Sequence, residues 1–163
     1  MRESEPAPPL GSVLEFLRVI WALDHALQKS SKRMVTQLGV TGPQRLVVRM
    51  VGRFPGIAAR ELAGILHIHP STLTGILKRL EALELITRRP HPRDRRRAFL
   101  GLTQKGRETD LNSEGTVEAA VKQAIAELET IKIEHAQEVL SKLTCALEPP
   151  DKAVEVGTAS PVL

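Results

Sequence analysis

The pattern that most narrows the fold lies between residues 59 and 78. Leu62, Leu66, Ile68, Leu73 and Ile76 fall where two short crossed helices would pack. Ala63 falls at their closest approach, where a large side chain would force them apart. Pro70 presets the first turn of the second helix, and Leu73, Ile76, Leu77 and Leu80 give that helix one apolar stripe. Its opposite face carries Ser71, Thr72, Thr74, Gly75 and Lys78, with Arg79 beside them. Such a face suits a major groove: hydroxyls meet base edges, Lys78 or Arg79 meets phosphate, and Gly75 permits close approach. The same residues also fit an ordinary helix pair with a solvated face, so the neighbouring segment has to decide.

That segment is strongly basic. From Arg88 to Arg97 there are six arginines (Arg88, Arg89, Arg93, Arg95, Arg96 and Arg97) against one acid, Asp94, a local net of +5 where the whole chain carries +4. The run sits between two short apolar stretches, 85–89 and 97–102, read as strands around a tip at 92–95. Like charges at this density repel unless a polyanion offsets them. An arginine-bearing hairpin tip fits a minor groove, where the negative potential is concentrated. Arg95 is the candidate for insertion, and an Asp94–Arg96 pair would hold the tip in shape. The chain is expected to be mainly α with a small β-hairpin, a winged helix-turn-helix.

The rest of the chain frames this lobe. Residues 1–11 are Pro-rich and read as a disordered arm. Val13, Phe16, Leu17, Ile20, Leu23, Leu27, Met34 and Leu38 predict one long amphipathic helix over 12–38, with Ser12 as N-cap and Gly39 as its stop. Thr41 and Gln44 have capping-box spacing, with Pro43 in the first turn. They open a helix that Pro55-Gly56 closes. The binding lobe spans 39–103. Thr103 caps a helix to about Leu128, kinked at 112–116, and Thr130 caps a last one to Leu147. A loose tail covers 148–163.

Several functional classes are excluded by composition. Four aromatic residues in 163 are too few for a base-stacking platform. A single cysteine, Cys145, precludes an intrachain disulfide and a multi-cysteine zinc site. That cysteine is read as a buried, inert thiol. No apolar run approaches a membrane span, and nothing at the start reads as a secretory signal, so a cytoplasmic setting is expected. No nucleophile-elbow, metalloprotease or phosphate-loop motif is present. The expectation is a protein that is not an enzyme and needs no cofactor or metal.

At this point the sequence resembles the MarR family of bacterial transcription regulators. The family's wing signature, Asp-x-Arg, five residues and then Leu-Thr, reads here Asp94-Arg95-Arg96 and Leu102-Thr103. Further matches are Thr41-Gly42-Pro43-Gln44, Glu61-Leu62-Ala63, Ser71-Thr72-Leu73-Thr74, Arg79-Leu80-Glu81 and Lys105-Gly106. The resemblance covers about residues 12–147. Three positions depart from it: His67 at a turn where Gly is usual, Glu84 where Gly closes the recognition helix, and His91 before the wing. The resemblance implies a transcriptional regulator, read as a repressor, that binds a palindromic duplex DNA operator as a homodimer. It places Ser71, Thr72, Thr74, Gly75 and Lys78 on the major-groove face and Arg95 at the minor-groove tip. It also implies dimerisation through the terminal helices, 12–38 and 104–147. The latter region is apolar on one face and acidic, with nine acids against three lysines over 108–148. Family members commonly respond to a small aromatic or anionic effector; Trp21 and His25, one helical turn apart, are the candidate pocket residues. The rival reading is a winged-helix protein-interaction module that binds no DNA.

Overall fold

The computed structural model describes residues 10–91 and 94–147; at 91 and 94–97 the description is of the backbone alone. Two units are distinguished, residues 1–122 and 123–163.

The first unit opens with α1 (Gly11–Leu38), 28 residues long. It starts one residue before the expected Ser12 cap: Leu10 stands at the N-cap and no side chain caps the helix. Gly39 ends it at φ 72°, donating its N–H to the Val35 carbonyl, a left-handed conformation that glycine adopts without Cβ strain. The capping box then forms as the spacing predicts. Thr41 Oγ1 accepts from the Gln44 N–H at 3.3 Å, and Gln44 Oε1 accepts from the Thr41 N–H at 2.9 Å. This opens α2 (Gly42–Arg53), whose first N–H also donates to Ser31 Oγ on α1 at 2.8 Å.

The helix-turn-helix is α3 (Ala59–Leu66) and α4 (Pro70–Ala82). His67 ends α3 at φ 50°, and Glu84 follows α4 at φ 59°. Both are the positions where the resemblance expected glycine, and both pay for a side chain in left-handed backbone. The hairpin consists of β1 (Ile86–His91) and β2 (Asp94–Leu102), antiparallel, with Ile86 opposite Leu102 and Pro90 opposite Ala98. The strands therefore extend closer to the tip than the 85–89 and 97–102 expected. A third edge was not expected: the Gly56 N–H donates to Leu100 O at 2.9 Å, the Leu100 N–H donates to Ile57 O at 3.1 Å, and Ala58 bridges Phe99. The segment between α2 and α3 thus braces the wing from its far side.

The core sits among these elements, with Val47, Val48, Val51, Leu62, Ala63, Leu73, Leu77, Leu80, Leu85, Ile86 and Leu100 buried together. Every one of the 59–78 core positions read from the sequence is either in this cluster or, as for Leu66, Ile68 and Ile76, packed against it.

Beyond the wing, the single kinked helix expected over 103–128 is two: α5 (Gln104–Leu111) and α6 (Val117–Ala126). The break has a local cause. Gly115 stands at φ 69°. The Thr116 hydroxyl donates to Ser113 O at 2.7 Å and accepts from the Ala119 N–H at 3.2 Å, so Thr116 caps a new helix rather than continuing the old one. In the second unit, α7 (Thr130–Leu147) buries no residue in the single chain. Cys145 is exposed, which corrects the buried thiol expected from its apolar neighbours. No helix among the described residues is long and apolar enough to cross a membrane.

Candidate nucleic-acid interface

The recognition-helix face is built by burying its opposite. Leu73, Leu77 and Leu80 are in the core, and the 3.6-residue period then turns Ser71, Thr72, Thr74, Gly75, Lys78 and Arg79 outward, all exposed. Their hydroxyls are not equivalent. Ser71 Oγ lies 2.7 Å from His69 Nδ1, and the Ser71 N–H donates to the same nitrogen at 3.3 Å, so the His69 imidazole is the helix N-cap. The Thr74 hydroxyl donates to Pro70 O at 2.8 Å. No hydrogen bond or ion pair of Thr72, Lys78 or Arg79 involves another described side chain. Thr72 is therefore the hydroxyl on this face with both its donor and its acceptors uncommitted.

Gly75 is the second informative position. It lies inside a helix and faces open space: a Cβ added there would meet nothing within 4 Å. The chain's own packing gives no reason for it, yet a mid-helix glycine costs about 0.5–1 kcal/mol relative to alanine.

The wing is strapped to this helix. Arg88 Nε on β1 pairs with Glu81 Oε1 on α4 at 2.9 Å, so Arg88 serves as a strut and not as a free cation. At the base of the wing, α5 clasps the turn that ends α4. Thr103 Oγ1 donates to Glu84 O at 2.6 Å, and Lys105 Nζ donates to Leu83 O at 2.9 Å, at the negative end of the helix dipole. These clasp residues match the Leu-Thr and Lys-Gly portions of the motif; Thr103 also fills the capping role expected of it by accepting from the Gly106 N–H at 2.9 Å. Arg93 lies outside the described residues, as do the side chains of Asp94, Arg95, Arg96 and Arg97 and the pairing expected between Asp94 and Arg96.

One polar site was missed altogether. Arg45, on α2, is 1% exposed, a charged residue among the fully buried side chains. Its Nε donates to Glu118 Oε1 at 2.8 Å, one Nη donates to Thr109 O, and the other donates to Asp110 O at 3.0 Å. Arg49, one turn on, adds bonds to Asp110 Oδ1 at 2.8 Å and Asp110 O at 3.1 Å. Burial pushes the Glu118 carboxyl up, but the backbone N–H at the start of α6, the Arg45 guanidinium and the Thr116 hydroxyl together outweigh it and hold the group below the ordinary carboxylate range. On α1, Trp21 is 70% exposed, and His25 is exposed one turn away.

This arrangement matches a known family. The sequence profile described as "MarR family" matches residues 38–97. The winged helix-turn-helix lobe of this chain is thus similar to the MarR family of transcriptional regulators. It is 27% identical over 117 residues to an organic hydroperoxide resistance transcriptional regulator of Bacillus subtilis, covering 70% of this chain and 80% of that one. It is 26% identical over 135 residues to an HTH-type transcriptional repressor of Mycobacterium bovis, covering 83% and 93%. In fold it is similar to MepR of S. aureus, solved in a complex with DNA, with a TM-score of 0.69 at 19% identity over 82% of this chain and 98% of that one. Within this chain the profile match runs from the end of α1 to the wing, so Arg45 lies inside it while α5, α6 and the groups on them that Arg45 grips lie beyond it.

Proposed function

We propose that this chain acts as a MarR-family regulator, a homodimer that binds a palindromic duplex operator, represses transcription from it, and loses affinity when a small aromatic or anionic effector binds. The observation that carries the DNA reading is the uncommitted face of α4 (Thr72, Gly75, Lys78 and Arg79) strapped through Glu81–Arg88 to an arginine-rich hairpin. The named relatives, a repressor and a DNA-bound structure among them, support the same reading. A protein with this task works where the chromosome is, in the cytoplasm.

Dimerisation is supported by what the single chain leaves uncovered. On α1, Val13, Leu14, Phe16, Leu17, Trp21 and Leu23 are all exposed, and Met34 alone is buried. On α6 and α7, Val121, Ile125, Val139 and Leu140 are exposed as well. Apolar surface on this scale marks a protein–protein interface. A two-fold axis would set the recognition helices about 34–36 Å apart, one turn of duplex. Trp21 and His25 would then lie at or near that interface and line the effector pocket. Trp21 is the sole tryptophan, so its emission should shift to shorter wavelength as protein concentration carries the chain from monomer to dimer.

The face is tested with paired variants. Thr72→Ala should weaken operator binding by about 1–3 kcal/mol, the value of a specific base contact, while binding to random duplex changes less than about twofold. Arg95→Ala should weaken both without moving the dimer mass or the melting temperature. Equal losses for Thr72→Ala on operator and random DNA would remove it as a reader, and unchanged affinity for Arg95→Ala would remove the wing tip. Gly75→Ala should raise unfolding stability by about 0.5–1 kcal/mol in urea and yet weaken operator binding, because the added methyl meets DNA instead of protein. A variant that gains stability and keeps full affinity would leave Gly75 without a DNA role. Binding of a protein partner but of no duplex would favour the interaction-module reading.

A further inference from the structure

Between Leu111 and Val117 the chain from the DNA-reading lobe into α6 is five residues. A link of that length with no further ties would let α6 swing. Its internal bonds, Asn112 Oδ1 from the Glu114 N–H at 3.3 Å and the Thr116 cap, shape the turn but do not aim the helix. The polar ties that do reach across come from α2: Arg45, and at longer range Arg49, whose Nε lies 3.7 Å from Glu118 Oε1. The Arg45 guanidinium grips two helix ends at once: the last carbonyls of α5, at Thr109 and Asp110, and the Glu118 carboxylate in the first turn of α6. Those carbonyls are the unpaired acceptors every helix C-terminus leaves, and the carboxylate favours the positive start of α6. Arginine's donors form a rigid planar fork, so the group fixes an angle as well as a distance.

We propose that Arg45, acting through Glu118, is a positioning residue that fixes the direction in which α6 leaves the DNA-reading lobe, and so sets the half-site spacing that the protein accepts. This rests on the dimeric, palindrome-binding reading above. A joint held by planar guanidinium groups, Arg45 foremost, passes orientation from the lobe to α6; a flexible one would let each lobe find its half-site whatever the spacing. Neither Arg45 nor Glu118 contacts DNA in this scheme, so a single half-site is read equally well with the joint intact or broken.

The test is a series of duplexes with one central base pair added or removed, together with a single half-site duplex, titrated with wild type, Glu118→Gln and Arg45→Lys. Glu118 is part-exposed, so its amide isostere folds; Arg45→Lys keeps the charge and loses the fork. Wild type should lose about tenfold or more per base pair of misfit, comparable to one mismatched contact. Both variants should lose less than about threefold, with half-site affinity unchanged within about twofold. Variants that discriminate spacing as sharply as wild type, or that lose half-site and full-site affinity alike, overturn the proposal. A wild type that binds palindrome and half-site equally, or sediments as a monomer, instead sinks the dimeric reading and this inference with it.

Discussion

Gly106→Ala should cost at least about 3 kcal/mol of folding stability, at the upper end of what overpacking a core does. The new methyl would fall inside the van der Waals shell of the Leu85 carbonyl oxygen and 3.4 Å from Leu102 Cβ. That oxygen cannot step aside. It accepts from the Thr103 N–H at 3.1 Å, and the Leu85 N–H is itself bound to Leu80 O at 2.9 Å at the end of α4. Leu85 is 3% exposed, in the core. The glycine is thus what lets α5 lie against the turn between recognition helix and wing. In urea the variant's midpoint should fall sharply, and operator binding should fail with it. A Gly106→Ala protein within 0.5 kcal/mol of wild type, an ordinary surface effect, would show that α5 does not sit against Leu85.

Arg45→Met should be nearly as damaging, about 3 kcal/mol, because the change deletes one side of a buried polar cluster and leaves the other. The Thr109 carbonyl loses its donor and the Asp110 carbonyl keeps only Arg49, and methionine fills most of the volume without offering a donor. Glu118 suffers less, since its side chain is 33% exposed and can take up water. The effect carries a pH signature. Glu118 is held below the ordinary carboxylate range in the folded chain. The stability it contributes is therefore fully present above its unfolded value and is lost as the pH falls through its folded value. The gap between wild type and Arg45→Met in chemical denaturation should be constant near neutrality and narrow as the solution is acidified below the ordinary carboxylate range. A gap that stays constant on acidification would assign the cost to lost packing instead of lost charge.

How far the sequence reaches is instructive residue by residue. The helix-turn-helix was legible because its determinants are local: Leu73, Leu77 and Leu80 recur at the helical period, Thr41 and Gln44 box a helix start, and Thr103 caps another. The wing was legible as a charge run between two apolar stretches. What escaped depends on partners distant in sequence. Arg45 looks like a solvated residue on an amphipathic helix, because the carbonyls that satisfy it are 64 and 65 positions away. The Ala58–Phe99 bridge and the clasp of Lys105 on Leu83 are long-range in the same way. The split of α5 from α6 turned on whether Thr116 would cap or continue, which its hydroxyl's partners decide. On the candidate interface, the residues of α4 that the helical period turns outward are exposed as expected. The internal bonds of Ser71 and Thr74, which single out Thr72, follow from rotamers that spacing does not encode.

The most direct test is the salt dependence of binding to the preferred palindrome, selected from random duplex by the purified full-length chain. Each phosphate neutralised by lysine or arginine contributes about −0.9 to the slope of log affinity against log salt. Two lobes, each bringing Lys78, Arg79 and wing arginines to the backbone, should give a slope steeper than about −5, with Arg95→Ala visibly shallower. A chain that enriches no sequence, or whose affinity is indifferent to salt, would mean that the exposed face of α4 and the arginine hairpin do not meet DNA together.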